Sequence, residues 1–529
     1  MDPYVSFWGY YSRWNGGLLS IFAYIFLYYA FVSNFWNNSE ENSKLKGFLN
    51  QIPIGKTIVL RSLLVSLISG FLVILWSIPS HFGYDPTCFM FRGTLDVACW
   101  TNDFQPRIRI FGPLGQPDWL AGYLGILIPI AGAFLISELR KKKEILNPFL
   151  IFYSSCFVLF YVALLYTGSR SGIISGIISI IILFLGYAVL NRKNLNFLKN
   201  KFAAIFIVTM IVSTFFAGIR LPVLEKFSLA EFQKIISKNE LTPLSQTPTK
   251  PEESLAAVEG GSNSLHIRLV VWEGAIAAWK ANPIIGTGVE TFAFAYYQYR
   301  PIEHNKLSEW NFLYNKAHNE YLNYLTTTGL FGLLSYLSFL GLFLIIAILN
   351  LADLKIKLLK PLRSEDYDRK DPLLIALLSS FLSIVIINFF GFSVVILNIY
   401  LLLIPAFVLI YFGFIKTKTA SLEVKNDNVS YGQWAGISLL GIAGLFMIWI
   451  LLSYWRADTK YALGYNYNRV QEYQTAYPLL HDAIKIRPEP VYLDEMAVND
   501  AFIAASIAAQ NATESAQIAQ TLVTEYLCP

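Results

Sequence analysis

Ten stretches of this chain are apolar for about 18 residues or more, and they constrain the fold more than any other feature. An α-helix crosses the hydrocarbon of a bilayer with roughly 20 apolar residues. The runs fall at about 17–36, 57–78, 118–137, 148–167, 171–190, 202–219, 322–349, 372–390, 393–415 and 433–454. With 55% hydrophobic and 15% charged residues and a mean hydropathy of +0.47, the chain has too little polar surface for a soluble protein of 529 residues. Trp36, Trp76, Trp119, Trp434 and Trp455 stand near run ends, where aromatic side chains anchor spans at the interface. The expected fold is all-α: a polytopic helical membrane protein of about ten spans.

The loops set an expected orientation. Basic residues gather in alternate connections: Lys44, Lys46 and Lys56; Arg140 to Lys143; Arg192, Lys193, Lys199 and Lys201; Lys355 to Lys370; and Lys416, Lys418 and Lys425. The positive-inside rule puts these five in the cytoplasm. Facing outward are then 1–16, 79–117, the "TGSR" turn, a long loop at 220–321, the turn near Gly391 and the tail from 455. The net charge of +5 is mostly topological and gives no reason to expect nucleic-acid binding. Residues 1–16 are thus placed outside with no span before them. Simple N-out insertion is one account; the preferred one is that an odd number of spans is missing upstream. Cys88 and Cys99 share an outward loop and are a candidate disulfide. No cofactor is called for, and no residues have metal-ligand spacing.

Two domains are expected, a membrane domain over 1–454 and an extracytoplasmic helical tail over 455–529. Within the long loop, 220–240 reads as short amphipathic helices and 240–264 as a flexible linker rich in Pro, Ser, Thr and Gly. A helix follows over 265–279, stopped by Asn282-Pro283 and the Gly286-Thr287-Gly288 turn. It is expected on the bilayer surface or against the outer mouths of the spans. The tail, "ALGYNYNRVQEYQTAYPLLHDAIKIRPEP", resembles one tetratricopeptide-type helix pair, with a second unit starting near "AVNDAFIAASIAAQ". One or two such units are marginal alone, so a protein partner is expected there.

Three basic residues stand at outward membrane ends. Arg170 lies in "TGSRSG", among small residues that let a ligand approach, at the start of a helix whose N-terminal amides are free; guanidinium and amides together suit a phosphate. A lone arginine there would more often snorkel to the interface. Arg268 lies in the amphipathic "HIRLVVWEGAIAAW", where a surface charge is the commoner role. His318 opens "HNEYLNYLTTTGLFG", and imidazole is the natural group to take a proton from a hydroxyl near neutral pH. Asn319 and Glu320 are candidates to orient it. His304-Asn305 repeats the dipeptide in loop sequence and is read as a decoy.

"TGSRSG" opening a span, "HIRLVVWEGAIAAWKANPIIGTG" late in a long loop and "HNEYLNYLTTTGLFG" entering the next span occur in the order of the O-antigen ligase family, and the chain resembles it over 1–415. "FGPLGQPDWLAGYLG" is similar to a further segment of that family, with Asp118 where Asn is usual. This bacterial family of membrane glycosyltransferases includes protein O-oligosaccharyltransferases and related polymerases. The resemblance implies transfer of a glycan from an undecaprenyl diphosphate carrier to an acceptor hydroxyl, on the outer face of the cytoplasmic (inner) membrane. The acceptor would be a glycolipid, another glycan or a protein. Arg170 and Arg268 would bind the diphosphate and His318 would activate the acceptor. Arg109 and Arg300, with Asn319 and Glu320, are weaker candidates for substrate contacts.

The alternatives are a lipid-linked glycan polymerase, a protein O-oligosaccharyltransferase and, from another class, a transporter or flippase for polyprenyl-linked sugars. The transporter class tends to carry charges near mid-membrane. Here the spans are almost free of them, Arg61 excepted.

Overall fold

The computed structural model of the protein describes residues 2–10, 14–35, 54–101, 105–141, 147–190, 201–218, 264–351, 371–412 and 430–509. The expected helices and linker over 220–263, most of the basic loop residues and the end of the tail lie outside these. Among the described residues there are 16 α-helices and no strand. Every one of the ten apolar runs is helical: α2 (Leu18–Phe35), α3 (Ile54–His81), α5 (Pro117–Arg140), α6 (Pro148–Tyr166), α7 (Arg170–Leu190), α8 (Lys201–Ala217), α11 (Glu320–Leu351), α12 (Pro372–Phe390), α13 (Val395–Tyr411) and α14 (Tyr431–Arg469). Eight are long and apolar enough to cross a membrane. The exceptions, α8 and α13, have 17 residues each, about 25 Å of helix against a hydrocarbon core of about 30 Å. The shorter helices are α1 (Pro3–Trp8), α4 (Pro86–Arg92), α9 (Ser264–Ala281), α10 (Phe292–Tyr299), α15 (Tyr473–Ile486) and α16 (Pro490–Ala509).

Local chemistry explains several starts. α5, α6 and α12 each open on a proline, whose fixed φ suits the first turn and whose missing N–H would have had no partner there. Asn147 and Asp371 then cap their helices, accepting from the Phe149 and Leu373 N–H at 3.2 and 2.9 Å. Cys88 and Cys99 are bonded, with their Cα atoms 5.4 Å apart.

The contacts divide the chain into two units, Met1–Thr417 and Lys418–Pro529. In the first, α5 is the central helix, packed on α6, α7 and α12. Ser380 of α12 donates its hydroxyl to the Ile126 carbonyl of α5 at 2.7 Å, satisfying a polar group where no water is available. The outward faces of α2, α3 and α11 keep large apolar side chains exposed, as lipid-facing helices do.

The loop residues 264–319 form a second small core: Ile267, Val270 and Val271 of α9 close on Phe292 and Tyr296 of α10 and on Leu307, Tyr314 and Ala317. α9 packs against α11, where Thr326 donates to the Ala275 carbonyl at 3.0 Å. α11 is one helix by hydrogen bonding but is broken at Gly329 (φ 66°, ψ −167°). The turn 283–288 fills that break. Thr287 and Gly288 N–H donate to the Thr326 and Thr327 carbonyls (3.0 and 2.9 Å), while Leu330 and Phe331 N–H donate to Pro283 and Ile284 (2.9 and 3.2 Å). Two glycines make the approach feasible. A Cβ on Gly286 (φ 69°) would fall 2.4 Å from the Thr327 carbonyl carbon, and one on Gly329 would fall 2.2 Å from the Ile284 oxygen. The membrane-crossing part of α11 is thus 330–351, about 33 Å long, and 320–328 is a separate half-helix.

In the second unit α14 runs without interruption through residue 454, where the composition changes, so the last apolar run is continuous with the first helix of the tail. A capping box of Ser430 and Gln433 starts it. Its far end pairs with α15, burying Ala457 and Gly464 against Ala476, Leu480 and Ala483. α16 joins them: Tyr492 stacks on Tyr461 and Asn499 donates to Asn468 at 2.6 Å.

Candidate active site

The starts of α5, α7, α11 and α13 and the end of α12 meet at one end of the bundle. A narrow cleft lies between them, lined by Gln116, Asp118, Ser171, His318, Phe390 and Phe392 among others. Three of the four sequence motifs therefore reach one cavity.

His318 precedes α11 in a left-handed conformation (φ 51°), a backbone state that costs a non-glycine residue free energy and must be held by its surroundings. Asn319 holds one side. Buried, it caps α11 by accepting from the Leu322 N–H at 3.1 Å. Trp272 of α9 holds the other, donating to the Ala317 carbonyl at 3.0 Å. The half-exposed imidazole is set edge-on against the Tyr314 and Phe392 rings, with centroids 5.5 and 5.4 Å away.

Arg170 is the exposed first residue of α7. Ser169 caps that helix, accepting from the Gly172 N–H at 3.1 Å, and the next residue after Arg170, Ser171, lines the cleft. Arg268 is half-buried on α9 and close enough to act electrostatically on the Tyr314 hydroxyl, one ring from His318. Arg109 is a tie between motifs: its guanidinium donates to the Thr167 carbonyl at 2.9 Å and pairs with Asp118 at 3.3 Å. It joins the "FGPLG", "TGSR" and "QPD" segments. Arg300 braces the loop core instead, donating to Asn305 Oδ1 at 2.8 Å and to the Trp310 carbonyl. Glu320 does not line the cleft; it lies beneath, 7% exposed, near a buried ion pair of Glu290 and Lys316.

His304 is wholly buried. Tyr296 donates its hydroxyl to Nδ1 at 2.7 Å, which requires the proton on Nε2, donated to the Glu309 carbonyl at 3.1 Å. Burial holds this ring below its ordinary value of 6.5, opposed in part by the hydrogen bond to the Glu309 carbonyl and helped to a lesser extent by the Arg300 charge. The fold prefers neutral His304, so this stabilisation is complete above the unfolded value and is lost as pH falls through the lowered one. Hydrogen exchange of 292–314, corrected for intrinsic rates, should therefore be faster at pH 5 than at pH 7.5. Equal protection at both would show that His304 does not carry this core.

Two parts of the site have no signal in the local sequence. The Phe390–Phe392 turn reads as a bare connection between two apolar runs. Lys316 and Glu290 are distant in sequence and become partners only when the 283–288 turn plugs into α11.

The fold and the cleft define a polytopic, all-helical membrane protein whose polar site lies where helix ends meet. Residues 155–337 match the O-antigen ligase family model. The central part of this chain is O-antigen ligase-like. That stretch holds Arg170, Arg268 and His318, whereas Arg109, Asp118 and the Phe390–Phe392 turn lie outside it. No curated protein and no solved structure matches the chain.

Proposed function

We propose that the protein transfers a glycan from a polyprenyl diphosphate carrier, of the undecaprenyl type, to an acceptor hydroxyl at the outer face of a bacterial cytoplasmic membrane. The observation that supports this most is His318, poised in a cleft it shares with the start of α7, inside the stretch that matches the ligase family. His318 takes the proton of the acceptor hydroxyl as its oxygen bonds to the anomeric carbon. The bond from that carbon to the diphosphate oxygen breaks, and the leaving diphosphate keeps the electron pair. Arg170 and Arg268 stabilise the charge that develops there. Single displacement inverts the anomeric centre. The helical surface of α15 and α16 is the place for a protein partner or protein acceptor.

Release of free carrier diphosphate from a polyprenyl-linked oligosaccharide in proteoliposomes tests the reading. Arg170→Ala and Arg268→Ala should each lower kcat/KM by about 10- to 100-fold, the worth of one charge-assisted contact. Lysine at either position should restore only part, because it cannot grip a phosphate with two parallel donors. Undiminished turnover in both alanine variants would remove the arginines from the mechanism.

A further inference from the structure

At the end of the bundle opposite the cleft, the first unit holds a cavity of about 450 Å³. α5 starts at the cleft and ends here, and α12 runs the other way, so the length of both helices separates the two places. The volume falls within the range of about 300–1,000 Å³ usual for small-ligand sites. α3, α5, α6, α12 and α13 each contribute to the wall.

The lining changes along the helices. Leu60 and Phe134 are apolar, and Phe134 lies one to two turns deeper along α5 than Glu138, Arg140 and Lys141. The charged groups sit at helix ends, where Asp371 caps the start of α12 beside Tyr411 at the end of α13. A ligand that fills this space has a polar head outward and an apolar part inward, the layout of a lipid at the interface. The signs are balanced: two carboxylates, Glu138 and Asp371, stand with two cations, Arg140 and Lys141.

Some of these groups are tied within the protein. Lys141 pairs with Glu138 at 2.5 Å, and Asn147 donates to the other oxygen of that carboxylate at 3.2 Å. Tyr411 donates its hydroxyl to Asp371 at 3.0 Å. Tyr153 differs. It is only 6% exposed, yet its hydroxyl has no hydrogen-bond partner among the described residues. A buried tyrosine hydroxyl is normally paired. This side chain lines the cavity, so its partner comes from whatever occupies that space.

We propose that the cavity binds the headgroup of an aminophospholipid of the phosphatidylethanolamine type. The Arg140 guanidinium donates to the phosphate, and the primary ammonium donates to the Glu138 and Asp371 carboxylates. Tyr153 donates to a phosphate or ester oxygen. A phosphatidylglycerol headgroup would set its net negative charge beside two carboxylates with no surplus of cations. Phosphatidylcholine carries both charges but has no N–H to give the carboxylates.

Native mass spectrometry of the full-length protein, delipidated in detergent, tests this. Dioleoyl phosphatidylethanolamine, phosphatidylcholine and phosphatidylglycerol are offered separately at equal concentration. One phosphatidylethanolamine per chain should be retained several-fold more than either other lipid. Arg140→Ala and Asp371→Ser should each lower that retention to the level of the other two. Serine deletes the carboxylate but remains a good N-cap for α12. Arg92→Ala, on α4 at the other end of the bundle, should retain the lipid as wild type does. Equal retention of all three lipids, or wild-type retention in both cavity variants, overturns the proposal. Soluble glycerophosphoethanolamine is the last arm: an adduct with it and none with the intact lipid would overturn a lipid as the occupant.

Discussion

Replacing His318 with alanine or asparagine is expected to lower kcat for carrier release by at least about 100-fold, the usual worth of a general base. Both substitutions are needed because the position is itself strained. At φ 51° alanine adds backbone cost, whereas asparagine is among the residues that accept a left-handed conformation. If the asparagine variant folds with the thermal stability of wild type and is equally inactive, the loss belongs to the imidazole and not to the turn. The carrier should still bind, since Arg170 and Arg268 remain, so KM should stay close to wild type while kcat collapses. Turnover in the asparagine variant within a few-fold of wild type would show that acceptor activation comes from another group.

The second large effect is structural. Gly329→Val should cost at least about 3 kcal/mol, from a β-branched side chain at positive φ and from ejection of the 283–288 turn. Four backbone hydrogen bonds join that turn to α11, and in a membrane setting the freed groups find no water. The expected readout is a marked drop in the thermal midpoint of the detergent-solubilised protein, with loss of turnover through displacement of α9 and Trp272. Gly341→Ala is the control. It lies further along the same helix, with nothing within 4 Å of a Cβ there, and should be neutral or stabilise slightly. Equal effects from the two substitutions would mean the break in α11 is not held by the turn.

These two residues mark how far the sequence could be read. His318 was legible because an ionisable group at the mouth of an apolar run invites a reason, and because His304 offers a contrast: same dipeptide, no helix behind it. The stop of α9 at Asn282-Pro283 was equally plain. The break at Gly329 was not, since the apolar run at 322–349 continues through it and only the partner backbone of 283–288 reveals it. Hydropathy likewise marks Val395–Tyr411 as apolar but not that its helix, at 17 residues, is shorter than the hydrocarbon core is thick. The Glu290–Lys316 pair depends on segments distant in sequence converging, and no local pattern encodes that. The change of composition at 454 marks no helix end. Polar residues begin there because the helix leaves the apolar zone, not because it ends.

That last point has a mechanical side. α14 is a single rod of 39 residues, about 58 Å at 1.5 Å per residue, anchored along its apolar first half. The helices α15 and α16 are clasped to its far half by packed small residues and by Arg487 stacked 3.1 Å over the Tyr454 ring. With no joint between the two halves, the tail behaves as a flag fixed to its mast. Its height is set by how deeply the apolar half sits, and its bearing by rotation of the same helix.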